Sequence, residues 1–208
     1  MRLDTGFRPS RQGFAFTNSW RDAVLGVVAS RGRCGGMVFA ALDSFLSGER
    51  VPGQSSVPSL PAHDSVLARH IWRRQVDSVI VGLGSNLWRF AALTYLPTGG
   101  PHGIAVTTRR ELLPLFDGLR AGFPVPLGLV SSIGLRTLVR NHQVLAYAAE
   151  FDETEARVWI YDPNYPGRDD VMLEVSLEKV APVIERVGRR ASRWRGFFVE
   201  RYRPQAPS

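Results

Sequence analysis

At Gly122 the chain changes period, and that change limits the folds open to it more than any other feature. Upstream, apolar residues recur at helical spacing in long runs. Downstream, they fall in short β-branched or aromatic stretches separated by turn formers. The first helical run is "CGGMVFAALDSFLSG", where Met37, Val38, Ala40, Ala41, Leu42 and Phe45 give a broad apolar face and Gly48 a stop. The second, "SVLARHIWRRQVDSVI", follows a proline- and serine-rich loop over 49–64 and takes Asp64 as its N-cap. A third helix is expected in "GSNLWRFAALTYLP", with "GLGSN" at 82–86 as its entry, and a fourth in "RRELLPLFDGLRAG", disturbed by Pro114. After Gly122 the strand candidates are "FPVPLGLVSS", "HQVLAYAAEFD", "ARVWIYDPN", "DVMLEVSLEK" and "RGFFVERYR", with "FDETEAR" as a hairpin connection. Helices first and an antiparallel sheet second define an α+β protein, not a βαβ repeat. At 208 residues we expect a single domain over 1–208, with a helical half at about 1–122 and a sheet half at about 123–204.

The net charge is +7 and Lys179 is the sole lysine, so arginine carries almost all the positive charge. Arg186, Arg189, Arg190, Arg193 and Arg195 cluster around Trp194, a composition that could grip phosphate and stack on bases. Arg201 and Arg203 continue at period two in "GFFVERYRP", which reads as the solvated face of a strand opposite Phe198 and Tyr202. A nucleic-acid partner is therefore not expected. The N-terminal stretch has no apolar h-region and "AVLGVVAS" is too short to span a bilayer, so neither a signal peptide nor a membrane partner is expected. A single cysteine allows no intrachain disulfide and fits a reducing, cytoplasmic compartment.

That cysteine, Cys34, stands where the first helical run begins. A thiol there meets the positive end of the helix dipole and unpaired backbone N–H groups, both of which favour thiolate. Gly35 and Gly36 are read as leaving those N–H groups open to a substrate carbonyl. His142 begins one strand and Asp162 closes the next. In an antiparallel hairpin the start of one strand and the end of its partner lie at the same end of the sheet, so the two should be neighbours. Cysteine, imidazole and carboxylate in contact would supply nucleophile, base and orienting group. Asn164 is a second candidate partner for the imidazole. His63, His70 and His102 lack ligand spacing and are read as surface residues; no zinc-type site is recognisable. Asp162, Asn164, Asp169 and Asp170 form a local acidic run whose spacing does not fit an EF-hand, so neither a metal nor another cofactor is expected.

A cysteine opening the first helix, "HQVLAY" on a strand and "YDPN" ending the next resemble the papain-like cysteine peptidase superfamily. The likeness is greatest to its bacterial branch, which includes the double-glycine leader peptidases. It covers most of the chain in element order and three short motifs in residue identity. The resemblance implies a helical half and a sheet half with the site between them, Cys34 as nucleophile, His142 as base and Asp162 as orienter. It also implies a peptide or amide substrate cleaved through an acyl-enzyme. Such enzymes usually carry a glutamine shortly before the cysteine; here that region reads "GVVASRGR". Asn18, or Gln12, is the candidate amide for an oxyanion hole, with Asn18 preferred and the backbone N–H of Cys34 as the second donor. The alternative is an inactive domain of the same fold that binds a peptide or protein; acyl transfer of the transglutaminase kind is a further possibility.

Overall fold

The computed structural model describes residues 2–24, 28–52, 59–131, 133–134 and 140–207. Its first elements are β1 (Arg2–Asp4), α1 (Pro9–Gln12) and a hairpin of β2 (Arg21–Val24) with β3 (Val28–Arg31). Helix α2 (Cys34–Ser47) follows, with every residue from Gly35 to Ser44 buried. A helix buried on all sides must be central, which agrees with its apolar run. It ends at Gly48, where φ is +73° and the N–H groups of Gly48 and Glu49 return to the Phe45 and Ser44 carbonyls. Of the loop expected after it, residues 53–58 lie outside the described residues.

Two expected helices are one. Helix α3 (Val66–Tyr95) runs unbroken for 30 residues, about 45 Å at 1.5 Å per residue. "GLGSN" therefore lies within it and is no entry. An interior glycine costs about 1 kcal/mol relative to alanine, and packing along α2 outweighs it here. Asn86, buried, also pins the helix by donating to the Ser78 and Arg201 carbonyls at 2.9 Å each. The cap is Ser65, not Asp64: its hydroxyl accepts from the Ala68 N–H at 3.1 Å. His70 is buried rather than superficial. It shares a helical stripe with Arg74 and Ser78, both fully buried, so the inward face of α3 is partly polar. His63 and His102 are exposed. Helix α4 (Ile104–Arg120) starts earlier than its charge pattern predicts and contains Pro114. Its first turns are buried against the chain at Gly196 and Phe197, where the Thr108 hydroxyl accepts the Phe197 N–H at 3.1 Å.

The sheet contains β4 (Val125–Val130), β5 (His142–Phe151), β6 (Glu155–Tyr161), β7 (Met172–Ser176), β8 (Val183–Val187), β9 (Arg190–Trp194) and β10 (Gly196–Val199). The order is β10-β4-β5-β6-β7-β8-β9, antiparallel throughout, and β1 joins beside β5 with Leu3 opposite Ala149. The first residues thus belong to the sheet, not to a helical half. The β8–β9 hairpin occupies the arginine-rich segment, turning at Gly188 with φ +58°. The last strand stops at Val199, so Arg201 and Arg203 lie beyond it rather than on a strand face. Arg186 pairs with Glu174 at 2.6 Å, and Arg195 donates to the Thr94 and Leu96 carbonyls.

Strand β5 sets the layering. Val144 and Ala146 pack with Leu112, Leu115 and Leu119 of α4, whereas Leu145 and Tyr147 pack with Met37 and Phe39 of α2 and Ile71 of α3. Successive side chains enter opposite faces, so the sheet lies between α4 on one side and α2 with α3 on the other. The chain is accordingly α+β. No helix among the described residues is long and apolar enough to cross a membrane.

Candidate active site

Cys34 is the first residue of α2 and is half-buried. The turn into the helix needs Gly32, whose φ of +93° an L side chain rarely adopts. Arg33 is nearly buried, its guanidinium over the Trp20 and Trp72 rings at 4.9 and 5.3 Å and donating to the Ala68 carbonyl at 2.6 Å. This clamp fixes the direction in which α2 starts.

His142 opens β5 and Asp162 follows the last residue of β6. The β5–β6 register, Leu145 opposite Tyr161, brings them to one end of the sheet as the hairpin argument requires. His142 Nε2 and Asp162 Oδ1 are 2.7 Å apart, and the residues are 7% and 1% exposed. Asn164 is also at the ring, its Nδ2 at 3.1 Å from His142 Nε2, and its N–H donates to Asp162 Oδ1 at 2.7 Å. An Nε2–H that donates to Asp162 cannot accept from the Asn164 amide, so Asp162 is the partner of the ring and Asn164 supports the carboxylate through its backbone N–H. Burial alone would favour a neutral His142, but the charges and hydrogen bonds of Asp162 and then Cys34 hold it well above its ordinary pKa. Burial opposes ionisation of Asp162 as well, yet His142 keeps its carboxyl below the usual range. The three residues named from sequence thus lie together, His142 against Asp162 and Cys34 near enough to act on the ring's pKa.

Asn18 lies over Gly32 at the entrance to α2. Its Oδ1 accepts the Arg33 N–H at 2.5 Å, and its own N–H donates to the Pro163 carbonyl at 3.0 Å, linking the cysteine turn to the Asp162 turn. Because the partner at 2.5 Å is a donor, the accepting atom is the amide oxygen, and Nδ2 is the group available to an oxyanion. Gln12 is elsewhere: its side chain accepts the Arg8 N–H at 2.7 Å and lines a cleft of about 640 Å³ with Phe45 and Arg50, at the far end of α2 from Cys34. The glycines after Cys34 do something other than expose N–H groups. Both are buried, Gly36 N donates to Gln75 Oε1 at 3.0 Å, and a Cβ at Gly36 would fall 2.1 Å from the Ile71 carbonyl oxygen. Their small size lets α2 approach α3 and the sheet.

Two buried carboxyl groups that no sequence motif marks complete the surroundings. Gln143 points to the face opposite His142, beneath α2, where Cys34 Sγ is 4.0 Å from its Oε1. Its Nε2 donates to Glu200 Oε1 at 2.8 Å. Burial, only partly opposed by that bond, drives the Glu200 carboxyl well above its ordinary value, and the nearby Cys34 charge acts the same way. Glu200 is 4% exposed and its Oε2 lacks a protein partner. The second is Glu185 on β8, 3% exposed, whose Oε2 accepts the Trp194 indole N–H at 3.0 Å. Trp194 stacks on His142 with ring centroids 6.0 Å apart and planes 19° from parallel. Period two was the available signal: Glu185 shares a face with Val183 and Val187, and Glu200 with Phe198.

The folded state holds a proton on Glu200 that the unfolded chain releases above about 4.5. Stability therefore falls as pH rises from that value. Glu200→Gln removes the proton uptake while keeping an acceptor for Gln143. We expect its melting temperature to equal that of wild type at pH 4 and to exceed it at pH 8, by about 2–4 °C for each kcal/mol recovered. Calorimetry at the two pH values checks this.

The acidic run after Asp162 is divided among separate partners. Asp169 binds Ser10 through its N–H and hydroxyl at 2.9 and 2.6 Å, and Asp170 pairs with Arg168 at 2.6 Å. Among the described residues, no group of three or more His, Cys, Asp or Glu is disposed to hold a metal ion. Compared with known proteins, the chain matches no family model, no curated sequence and no solved structure.

Proposed function

We propose that the chain is a papain-like thiol hydrolase that cleaves a peptide or amide bond through a thioester on Cys34. The observation that carries the reading is a single buried ring, His142, held at Nε2 by Asp162 at 2.7 Å, with Cys34 near enough for its charge to raise the ring's pKa. With Nε2 committed to the carboxylate, Nδ1 is the nitrogen left to exchange a proton with sulfur. In this reading Cys34 sulfur attacks the carbonyl carbon, and the oxyanion forms against Asn18 Nδ2 and the Cys34 N–H. The ring proton then passes to the departing amine, leaving the acyl group on sulfur. Water, deprotonated by the now neutral imidazole, releases the acid and restores the thiol.

The direct test is to mix the protein with a panel of peptide esters and amides, quench with acid and weigh it. A mass gain equal to the acyl group, absent in Cys34→Ala, is expected. No adduct on any substrate, together with a Cys34 that alkylates only after unfolding, would overturn hydrolysis. Adduct formation followed by faster product release on adding hydroxylamine would mark acyl transfer. Given turnover, Asn18→Ala should lower kcat about 100-fold with little change in KM, the cost of one oxyanion donor.

One contact favours the second reading, a binding domain without turnover. Cys34 Sγ is positioned to donate to Gln143 Oε1 at 4.0 Å, a bond that only the neutral thiol can make.

A further inference from the structure

We propose that Gln143 is a positioning residue for Cys34: its side-chain amide is locked with Oε1 toward the sulfur, where it bonds to the thiol but not to the thiolate and so opposes the ionisation that His142 promotes. The inference deepens the thiol-hydrolase reading and rests on it for the part His142 plays.

A glutamine amide turned one way offers sulfur an acceptor; turned the other way it offers N–H donors. The first favours the thiol and the second the thiolate, so the direction of the amide decides its effect. Three hydrogen bonds fix that direction. The Gly36 N–H can only donate, so the Gln75 atom 3.0 Å from it is Oε1. Gln75 Nε2 is then a donor, and the Gln143 atom it meets at 3.4 Å is an oxygen. That leaves Gln143 Nε2 to donate to Glu200 Oε1 at 2.8 Å. The Glu200 oxygen accepts whether or not Oε2 carries a proton, so the chain keeps its polarity in both states of Glu200. Cys34 Sγ stands 4.0 Å from Gln143 Oε1, the acceptor end of the amide. Ser78 Oγ is 3.3 Å from the same oxygen but makes its shorter bond, 2.8 Å, to the Gln75 carbonyl.

Packing keeps the amide in this seat. Gln143 is 5% exposed and Glu200 4%. A Cβ on Gly35 would fall 2.1 Å from Gln143 Oε1 and 2.2 Å from Ser78 Oγ, so the first turn of α2 lies directly on the amide. The bare glycine is what admits it. Adjacent residues of β5 thus act on Cys34 in opposite senses, His142 toward the thiolate and Gln143 toward the thiol. The other charged or titratable groups about the Gln143–Glu200 pair are Glu200 itself, after β10, and Arg89 of α3. Gln143 takes no proton in this role; it accepts a hydrogen bond that is lost when the thiol ionises and remade when the thiol is restored.

Iodoacetamide alkylation of the full chain at about pH 6 and about pH 9 separates charge from access, because the thiolate fraction limits the rate mainly at the lower value. A variant that only loosens the site raises both rates alike. Gln143→Met keeps the length of the side chain and removes the acceptor. Its rate at about pH 6, divided by its rate at about pH 9, should exceed the wild-type ratio about threefold, the worth of one weak hydrogen bond. A ratio equal to that of wild type, or lower, overturns the proposal. If Gln143→Met does not fold, carbon-13 NMR of the Gln143 side-chain carbonyl decides. It is followed in Glu200→Gln, where no carboxyl titrates beside it. The carbonyl signal should show an inflection between about pH 6 and 10 that Cys34→Ala abolishes. A signal that is flat, or that titrates alike with and without the sulfur, overturns the proposal too. If Cys34 is unreactive in wild type, the hydrolase reading fails while the carbonyl signal still judges Gln143.

Discussion

Replacing His142 with alanine should slow alkylation of Cys34 at pH 6 about 5- to 10-fold, while Cys34→Ala takes up no label. An ordinary thiol with a pKa of about 8.5 is roughly 0.3% thiolate at pH 6. In the folded protein the imidazole beside Cys34 is held in its charged form by Asp162 at 2.7 Å, so sulfur has a fixed cation to pair with. Complete pairing would raise the thiolate population about 300-fold. A more stable thiolate is also a weaker nucleophile, with a Brønsted slope of about 0.4–0.5, which reduces the gain in rate. The shape of the profile decides more than its height. The profile of wild type should differ in shape from that of His142→Ala, which should rise along a single ordinary thiol titration near about 8.5. Superimposable profiles would mean that sulfur and imidazole form no ion pair, and the hydrolase reading would fall with them.

A second large effect is expected far from sulfur, on stability. Asp43→Ala should destabilise the fold by about 3–5 kcal/mol, since it leaves a cation buried without its main partner. Arg74 Nε and Asp43 Oδ2 are 2.8 Å apart, and both side chains are wholly out of contact with solvent. Asp43 Oδ1 also accepts from the Tyr202 hydroxyl and, at 3.0 Å, from the Gln205 N–H, and Arg74 Nη2 donates to the Arg203 carbonyl at 3.0 Å. The pair thus joins α2, α3 and the segment after β10. Asp77, 3.0 Å from Arg74 Nη1 and partly exposed, still shares the charge, which places the expectation at the lower end. At about 2–4 °C per kcal/mol, the melting temperature should fall by about 10 °C. The double variant Asp43→Leu with Arg74→Met removes both charges and should cost clearly less than the single one. A single variant that melts within about a degree of wild type would mean that the pair is effectively hydrated.

Local pattern was enough for α2, for the hairpin of β5 and β6, and for the pairing of His142 with Asp162 across it. Each depends on interactions between near neighbours in the chain. Helical period locates α2 with Cys34 at its start, and antiparallel register brings His142 to Asp162 across a tight turn. Asn18 was legible because an amide was sought upstream of Cys34, although its bond to the Arg33 N–H belongs to the folded chain.

Other features depended on partners distant in sequence. Glycines at 82 and 84 read as a break, yet α3 continues through them because α2 and Asn86 support it. His70 looked superficial until neighbouring elements closed over the polar stripe of α3. The arginine-rich tail forms the β8–β9 hairpin, and its Trp194 and Glu185 close the site behind His142. Glycines after Cys34 read as openness, whereas the structure uses them for close packing. The sequence alone determined that helices precede an antiparallel sheet and that His142 and Asp162 share one end of it, because period and register are local properties. Tertiary structure alone decided which carboxyl groups are shut away from water and which arginine is buried with its partner. A side chain's charge depends on what surrounds it, and those surroundings come from strands and helices far apart in the chain.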